Sequence, residues 1–471
     1  MSPKQKKNSS LVVRLIAKAG FHTCIILFLA LFSHTKTALA EDTNKDGWID
    51  LPFDVSGRYE VDYWGRWNTD DAEDDHQLFQ YLNLRVDNIV PDKLSLHFSG
   101  RLSAELDGND EANDFFADIY DTFEHSANGR IYYLYLDVKD PLFKDSDLKL
   151  GRQYSYEPKS VLFNGAKYEQ SVNKLRFYLQ GGIRGTNYTS PEEDDTIGGV
   201  GVDYQLLPRT TVGYDYLRVV DDFLDDDYHS FDILQKFGNL RTYAQFSILN
   251  DDADELNLFG SYYHAPFDLN VTARYYSLLT QRDQLTNEFS SLVDVGSFDV
   301  DDPQTLGVYF PFHLVNLNTY KGWWNKFGTS AGIETRWMDD NDERNDFNRE
   351  YDRYFFTIEM WDFFLNGLTT SLSFEYWDVD ASEDSISVGI DADKDITDRL
   401  NVGAGYYFSR YRIRATFNDT TFSDEIRTPS FYGKLKYKVK ENVAVLAKYQ
   451  FEDNDDLGIN HELFLSCSID F

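Results

Sequence analysis

Side-chain oxygens alternate along Asp42-Thr43-Asn44-Lys45-Asp46-Gly47-Trp48-Ile49-Asp50, with a glycine at the sixth position. Oxygen ligands at every second residue, a backbone carbonyl at the seventh and a glycine that permits a sharp bend suit a hard divalent cation such as calcium. Asp42, Asn44, Asp46, Trp48 and Asp50 are therefore the candidate metal ligands, and a plain acidic linker is the competing reading. Position twelve is Phe53 where a bidentate Glu would complete the loop, although Asp54 follows. The segment resembles the loops of EF-hand and dockerin-type calcium sites in its first nine positions. No other cofactor is expected.

Elsewhere the residue types argue against catalysis. Beyond residue 40 the histidines (His76, His97, His125, His229, His264, His313 and His461) are scattered, with no metal-ligand spacing and no nucleophile motif. Cys24 and Cys467 are the only cysteines, and no Cys-x-x-Cys-His is present, so the chain carries no c-type haem of its own. What remains is charge at regular intervals. Arg101, Arg176, Arg241, Arg274, Arg336, Arg353, Lys434, Lys436, Lys438 and Lys448 share a parity with Glu105, Asp215, Glu334, Glu359, Glu375 and Glu452, and the opposite parity is apolar.

That parity belongs to strands. Leu94, Leu96, Phe98, Leu102 and Ala104 alternate with Ser95, His97, Ser99, Arg101 and Ser103, and Leu175, Phe177 and Leu179 with Arg176, Tyr178 and Gln180. The same period of two runs through 240–248, 368–376 and 443–452. Spread from residue 94 to residue 452, it predicts one continuous sheet rather than several domains. Mean hydropathy is −0.49, as expected where every second residue faces water. The high aromatic content argues against disorder in so acidic a chain.

The connectors alternate in length. Val90-Pro91-Asp92-Lys93, Leu206-Leu207-Pro208-Arg209, Phe237-Gly238-Asn239 and Lys440-Glu441-Asn442 are short. The connectors at 68–75, 108–126, 186–195, 220–227, 280–303, 339–350 and 413–423 are long and acidic. The segmentation predicts an all-β fold: a single transmembrane antiparallel β-barrel over 54–471 with about 22 strands (range 18–24) and no plug domain. Aromatic groups at strand ends, Tyr63-Trp64 with Trp67, Trp323-Trp324 and Trp361, are read as interfacial girdles.

The two ends agree with a membrane barrel. Residues 1–40 carry Lys4, Lys6, Lys7, Arg14 and Lys18, a short apolar run from Cys24 to Phe32, and Ala38-Leu39-Ala40 before Glu41. This is the plan of a cleaved secretory signal peptide, and the apolar run is too short for a membrane anchor. Residues 41–53 then form an acidic segment ahead of the barrel. At the other end Leu463, Leu465, Cys467, Ile469 and Phe471 alternate with Glu462, Ser466, Ser468 and Asp470. The chain closes on an aromatic, which resembles the C-terminal insertion signal of bacterial outer-membrane β-barrels. The resemblance implies recognition of Leu465, Cys467, Ile469 and Phe471 by the barrel-assembly machinery, location in the outer membrane of a Gram-negative bacterium, and both barrel termini in the periplasm.

Leu148-Lys149-Leu150-Gly151-Arg152-Gln153 is similar to a strand of several bacterial porin families, including alginate-export-like barrels. Strict alternation from Leu148 would set Arg152 on the lipid face, so either a bulge intervenes or the match is fortuitous. Six of the 45 Lys and Arg residues and none of the 80 acids lie in 1–40, leaving a formal charge of −41 after cleavage. Because exposed loop charges are screened while a lumen focuses the field of its wall, lumen charge is expected to dominate selectivity. On this reading the lumen is mixed and leans basic, or its cations simply pair with wall carboxylates. The leading function is passive diffusion of small hydrophilic, including anionic, solutes. The second is a scaffold that sheathes a multihaem cytochrome, as in porin–cytochrome conduits. Lipid and lipopolysaccharide are expected partners, and nucleic acid is not.

Overall fold

The computed structural model describes residues 53–69, 74–106, 127–185, 195–220, 225–283, 308–339, 349–379, 383–417, 420–456 and 458–471. The leader, the candidate calcium loop and most of the acidic connectors lie outside the described residues. Alternating sequences form β1 (Asp54–Asn68), β2 (Asp74–Val90), β3 (Leu94–Glu105), β4 (Ala127–Lys139), β5 (Ser146–Ser155) and β6 (Val161–Val172). There follow β7 (Leu175–Arg184), β8 (Thr196–Leu207), β9 (Thr210–Val220), β10 (Asp225–Phe237), β11 (Leu240–Leu249), β12 (Asp252–His264) and β13 (Leu269–Leu278). A two-residue ladder, β14 (Arg282–Asp283) with β15 (Val308–Tyr309), precedes β16 (Phe312–Trp323), β17 (Phe327–Met338), β18 (Tyr351–Trp361) and β19 (Leu368–Val379). The last are β20 (Glu383–Thr397), β21 (Leu400–Phe417), β22 (Thr420–Lys440), β23 (Val443–Asn454) and β24 (Gly458–Asp470).

All but β14 and β15 join one 22-stranded sheet in which each strand pairs antiparallel with its neighbours in sequence. The sheet closes on itself because β24 pairs antiparallel with β1 from Asn68↔Asn460 to Arg58↔Asp470. Phe471 completes the seam: its N–H donates to Gly57 O at 3.0 Å, and Gly57 N–H donates to Phe471 O at 2.8 Å. Closure removes the unpaired edges that an open sheet would present.

The two faces differ as the alternation requires. One carries exposed aliphatics and aromatics, among them Leu136, Leu179, Val200, Phe231, Phe374, Ile390 and Leu465. An apolar band of this extent on a closed sheet needs apolar surroundings. The inner face is polar: Ser466 and Ser468 are buried there, with Gln180, Ser230 and Thr428. It also holds a cluster of Phe163, Ile197, Leu217, Val219 and Tyr228 on β6 and β8–β10.

Tight turns sit at the rim that carries Phe471. Trp324 and Asn325 both have positive φ (49° and 55°), the geometry of a turn matched to strand twist. In the β4–β5 turn the Asp145 N–H donates to Asp140 Oδ1 at 2.7 Å, and that bond, with Lys93 nearby, holds the Asp140 carboxyl below the usual carboxylate range. Exposed apolar residues line this rim, including Phe143, Phe237, Phe267, Trp324 and Phe364.

Two expectations change. Tyr63, Trp67 and Trp323 lie on the outer face, but the register turns Trp64 and Trp361 inward, opposite Phe464 and Thr369. Aromatic identity at a strand end does not set the face, and the ladder does. At Arg152 no bulge intervenes: β4, β5 and β6 keep register through Leu134↔Arg152 and Arg152↔Asn164. Arg152 stands in the outward set, and its Nε donates to Ile131 O at 2.7 Å.

Candidate functional site: the inner wall

Every charged position singled out by parity falls on the inner face. Arg101 pairs with Arg130, Arg176 with Asp203, Arg241 with Lys236, Arg274 with Asn316 and Glu334 with Arg353 across adjacent strands. Lys434 opposes Lys448, Lys436 opposes Leu446 and Lys438 opposes Ala444. Arg336 opposes Tyr351, Glu359 opposes Gly328, and Glu105 opposes Gln77.

The wall is not uniform. On β6–β10 it is a dense ion-pair network. Arg176 reaches Asp203 at 2.8 Å, Glu169 at 3.3 Å and Glu157 at 3.6 Å, while Lys167 reaches Glu157 at 2.9 Å and Glu169 at 3.1 Å. The Tyr178 hydroxyl donates to Asp215 Oδ1 at 2.8 Å across the intervening strand. That reach depends on Gly201 of β8, where a Cβ would stand 2.1 Å from the Tyr178 ring. A single glycine thus lays the tyrosine flat against the wall instead of into the lumen.

The five-residue connection Tyr156–Ser160 between β5 and β6 turns inward and is tied at both ends. Ser155 Oγ donates to Glu157 O at 3.1 Å and itself accepts from Gln180 Nε2 at 2.7 Å. Lys159 Nζ lies 2.7 Å from Glu255 Oε1 and 3.8 Å from the fully buried Asp254 on β12. Lys159 also sits 5.8 Å over the Tyr228 ring. The strap therefore covers the apolar cluster of β6 and β8–β10 and holds fixed charge inside the barrel.

In the closed ring β22 lies eleven strands from β9 in either direction. Here the wall is a lysine stripe. Lys434 pairs with Asp393 at 2.9 Å, lying across Gly403, where a Cβ would stand 2.5 Å from Lys434 Cε. Lys448 Nζ donates to Gln450 at 3.0 Å and sits 5.5 Å over Tyr432. Lys436 and Lys438 are exposed and form no ion pair among the described residues. Between these walls, Arg353 makes a two-point contact with Glu375 (3.1 and 3.2 Å), and Glu334 accepts from Asn316 (2.7 Å) and Tyr351 (2.9 Å). Arg336 stacks on Phe312 at 4.1 Å, Arg101 on Phe79 at 5.5 Å, and Arg274 on Tyr276 at 5.6 Å.

Parity alone left out Glu157, Lys159, Lys167, Glu169, Asp203, Asp232, Asp391 and Asp393. With them the basic lean of the wall becomes regional: Arg176, Arg353 and Lys434 are neutralised by partners, whereas Lys436 and Lys438 on β22, and Lys236 with Arg241 on β10 and β11, are exposed and form no ion pair among the described residues. The outward run Val200, Val202, Tyr204 on β8 carried the signal for Asp203, but nothing in a short connector announced the strap. Among the described residues no group of three or more His, Cys, Asp or Glu is placed to hold a metal ion.

No protein-family model matches the chain, and no curated protein sequence matches it. Several solved structures are similar to it. Acinetobacter baumannii OccAB3 is 10% identical with a TM-score of 0.42, the match covering 89% of this chain and 100% of that one. A. baumannii OccAB1 is 10% identical with a TM-score of 0.39 (89% and 96% covered). The Pseudomonas aeruginosa outer membrane protein OpdK is 11% identical with a TM-score of 0.37 (89% and 99% covered).

Proposed function

We propose that the protein is an outer-membrane channel for passive diffusion of small hydrophilic solutes, anions among them. One observation carries the reading: a closed 22-strand sheet with an apolar outer face encloses a wall of fixed, alternating charge. A barrel of this size keeps an open lumen. Phe471 and the tight turns stand at the periplasmic rim. Lys436 and Lys438 form the anion-favouring path toward the periplasm, because unpaired wall charge acts on a passing ion through little protein and little salt. On the far wall Asp215 on β9 and Asp232 on β10 add carboxylate where Lys236 and Arg241 add cations, so that side is mixed. The strap takes wall that a sheathed protein would occupy, which favours the channel over the cytochrome scaffold. Transport of this kind is passive and needs no catalytic group.

Liposome swelling tests the reading. Vesicles holding the protein should swell in isotonic monosaccharide and faster in the matching singly charged sugar acid. No swelling with any solute smaller than a disaccharide would refute the channel.

A further inference from the structure

A groove of about 450 Å³ opens at the long-loop end of β8–β11, lined by Tyr214, Tyr216, Asp227, His229, Asn250 and Asp251. It lies on the outer face of the barrel, because Tyr214, Tyr216, Asp227 and His229 share the parity of Val200, Val202, Phe231 and Ile233. We propose that it binds the phosphorylated sugar headgroup of an outer-leaflet glycolipid.

The lining offers stacking and acceptor groups for a sugar and is built in advance, with Arg218 beside it as the cation for the phosphate. The Tyr214 hydroxyl is 2.9 Å from His229 Nδ1, and the Tyr216 ring centre is 5.0 Å from that of His229, giving an aromatic wall for the apolar face of a sugar ring. Acceptors for sugar hydroxyls stand beside it. Asp227 is fixed by the Tyr216 hydroxyl and by its own N–H, which donates to Asn250 Oδ1 at 2.8 Å; Asn250 Nδ2 in turn donates to Asp226 at 2.9 Å. Arg218 supplies the cation at the lip, 2.8 Å from Asp225 and 3.6 Å from Asp227, with its side chain about half exposed. A phosphate ester on the sugar would take the remaining donors of that guanidinium.

Position selects the lipid-borne form. Val200 is part of the groove, and Val202, Phe231 and Ile233 continue from it down the same strands as exposed apolar surface. Acyl chains attached to the bound sugar would lie on that surface, a contact that a free sugar phosphate cannot make. Tyr–His pairs recur on this face at Tyr63/His76, Tyr275/His313 and Tyr449/His461. There the histidines meet Asp74, Trp337 with Asp339, and Trp67 respectively, whereas His229 faces the groove.

The inference rests on the membrane reading above, and its test keeps the two apart. Full-length protein refolded in detergent is titrated with rough-form lipopolysaccharide, phosphatidylglycerol and soluble glucosamine phosphate, and bound species are counted by native mass spectrometry. Lipopolysaccharide should bind about tenfold more tightly than either comparison compound, and Tyr216→Ala and Arg218→Ala should each weaken it about tenfold, the loss of a stacking face or of a charge-assisted hydrogen bond. Tyr449→Ala should leave it unchanged. Wild-type affinity in both groove variants, or equal binding of phosphatidylglycerol or of the soluble sugar phosphate, overturns the proposal. Should Tyr216→Ala fail to fold, Arg218→Ala decides, since its side chain is exposed. Conductance in glycolipid-free vesicles is recorded in parallel: failure to insert overturns the membrane reading, and insertion without glycolipid selectivity overturns the groove alone.

Discussion

Reversing Lys436 and Lys438 to Glu should turn the anion path against anions, by an amount that depends on salt. Both lysines are exposed on the inner face of β22 and make no ion pair among the described residues, so their charge acts on the lumen directly. At about 10 Å in water one unit charge is worth about 0.4 kcal/mol, and screening at 0.1 M salt reduces this to about 0.15 kcal/mol. The double reversal changes the wall by four units, about 0.6 kcal/mol for a monovalent ion. Anions lose that amount and cations gain it, so the cation-to-anion permeability ratio rises by about eightfold. At 0.01 M salt the screening length is about 30 Å, the shift doubles, and the ratio rises by about sixtyfold. Reversal potentials across a planar bilayer, in tenfold gradients centred on each salt concentration, measure both numbers. Lys436→Gln with Lys438→Gln should give half the free-energy change. A ratio that stays at its wild-type value at both concentrations would refute the argument, as would one that shifts without salt dependence.

Three further outcomes follow from the wall and the seam. Cys467 stands on the outer face between Val61 and Val445, so a lipid-soluble maleimide should label it in vesicles and a membrane-impermeant one should not, as read by mass. Lys159→Ala removes the ion pairs of the strap lysine with Asp254 and Glu255, and single-channel traces should gain rapid steps between current levels that Lys159→Arg suppresses. Tyr178→Phe removes the bond to Asp215 and should cost about 1.5–3 kcal/mol. Gly201→Leu drives a Cβ into the Tyr178 ring and should cost more, both being read from the urea midpoint of unfolding.

How far the sequence could be read depended on how local each feature is. Leu463, Leu465, Cys467 and Ile469 separate cleanly from Glu462, Ser466, Ser468 and Asp470 because a strand has period two, and β24 keeps that order unbroken through both its ladders. Phe464, the exception to the pattern, faces inward between Lys448 and Trp64. Lys434, Lys436 and Lys438 were legible for the same reason. The strap was not, because its inward turn is made by Glu157 and Lys159 finding partners on β6, β7 and β12, up to about a hundred residues away in sequence. Trp64 and Trp361 misled because aromatic residues are common on both faces, and only the register distinguishes a girdle from a lumen. The groove at His229 needs diagonal contacts between β9 and β10 and a turn after β11, none of which a parity count contains.

Single-channel conductance of the purified full-length protein in a planar bilayer, without any added partner, tests the central claim most directly. Stable steps of uniform size that scale with salt concentration are expected of an open, water-filled barrel with fixed wall charge. A protein that inserts yet passes no current, or conducts only once a second protein is added, would contradict it.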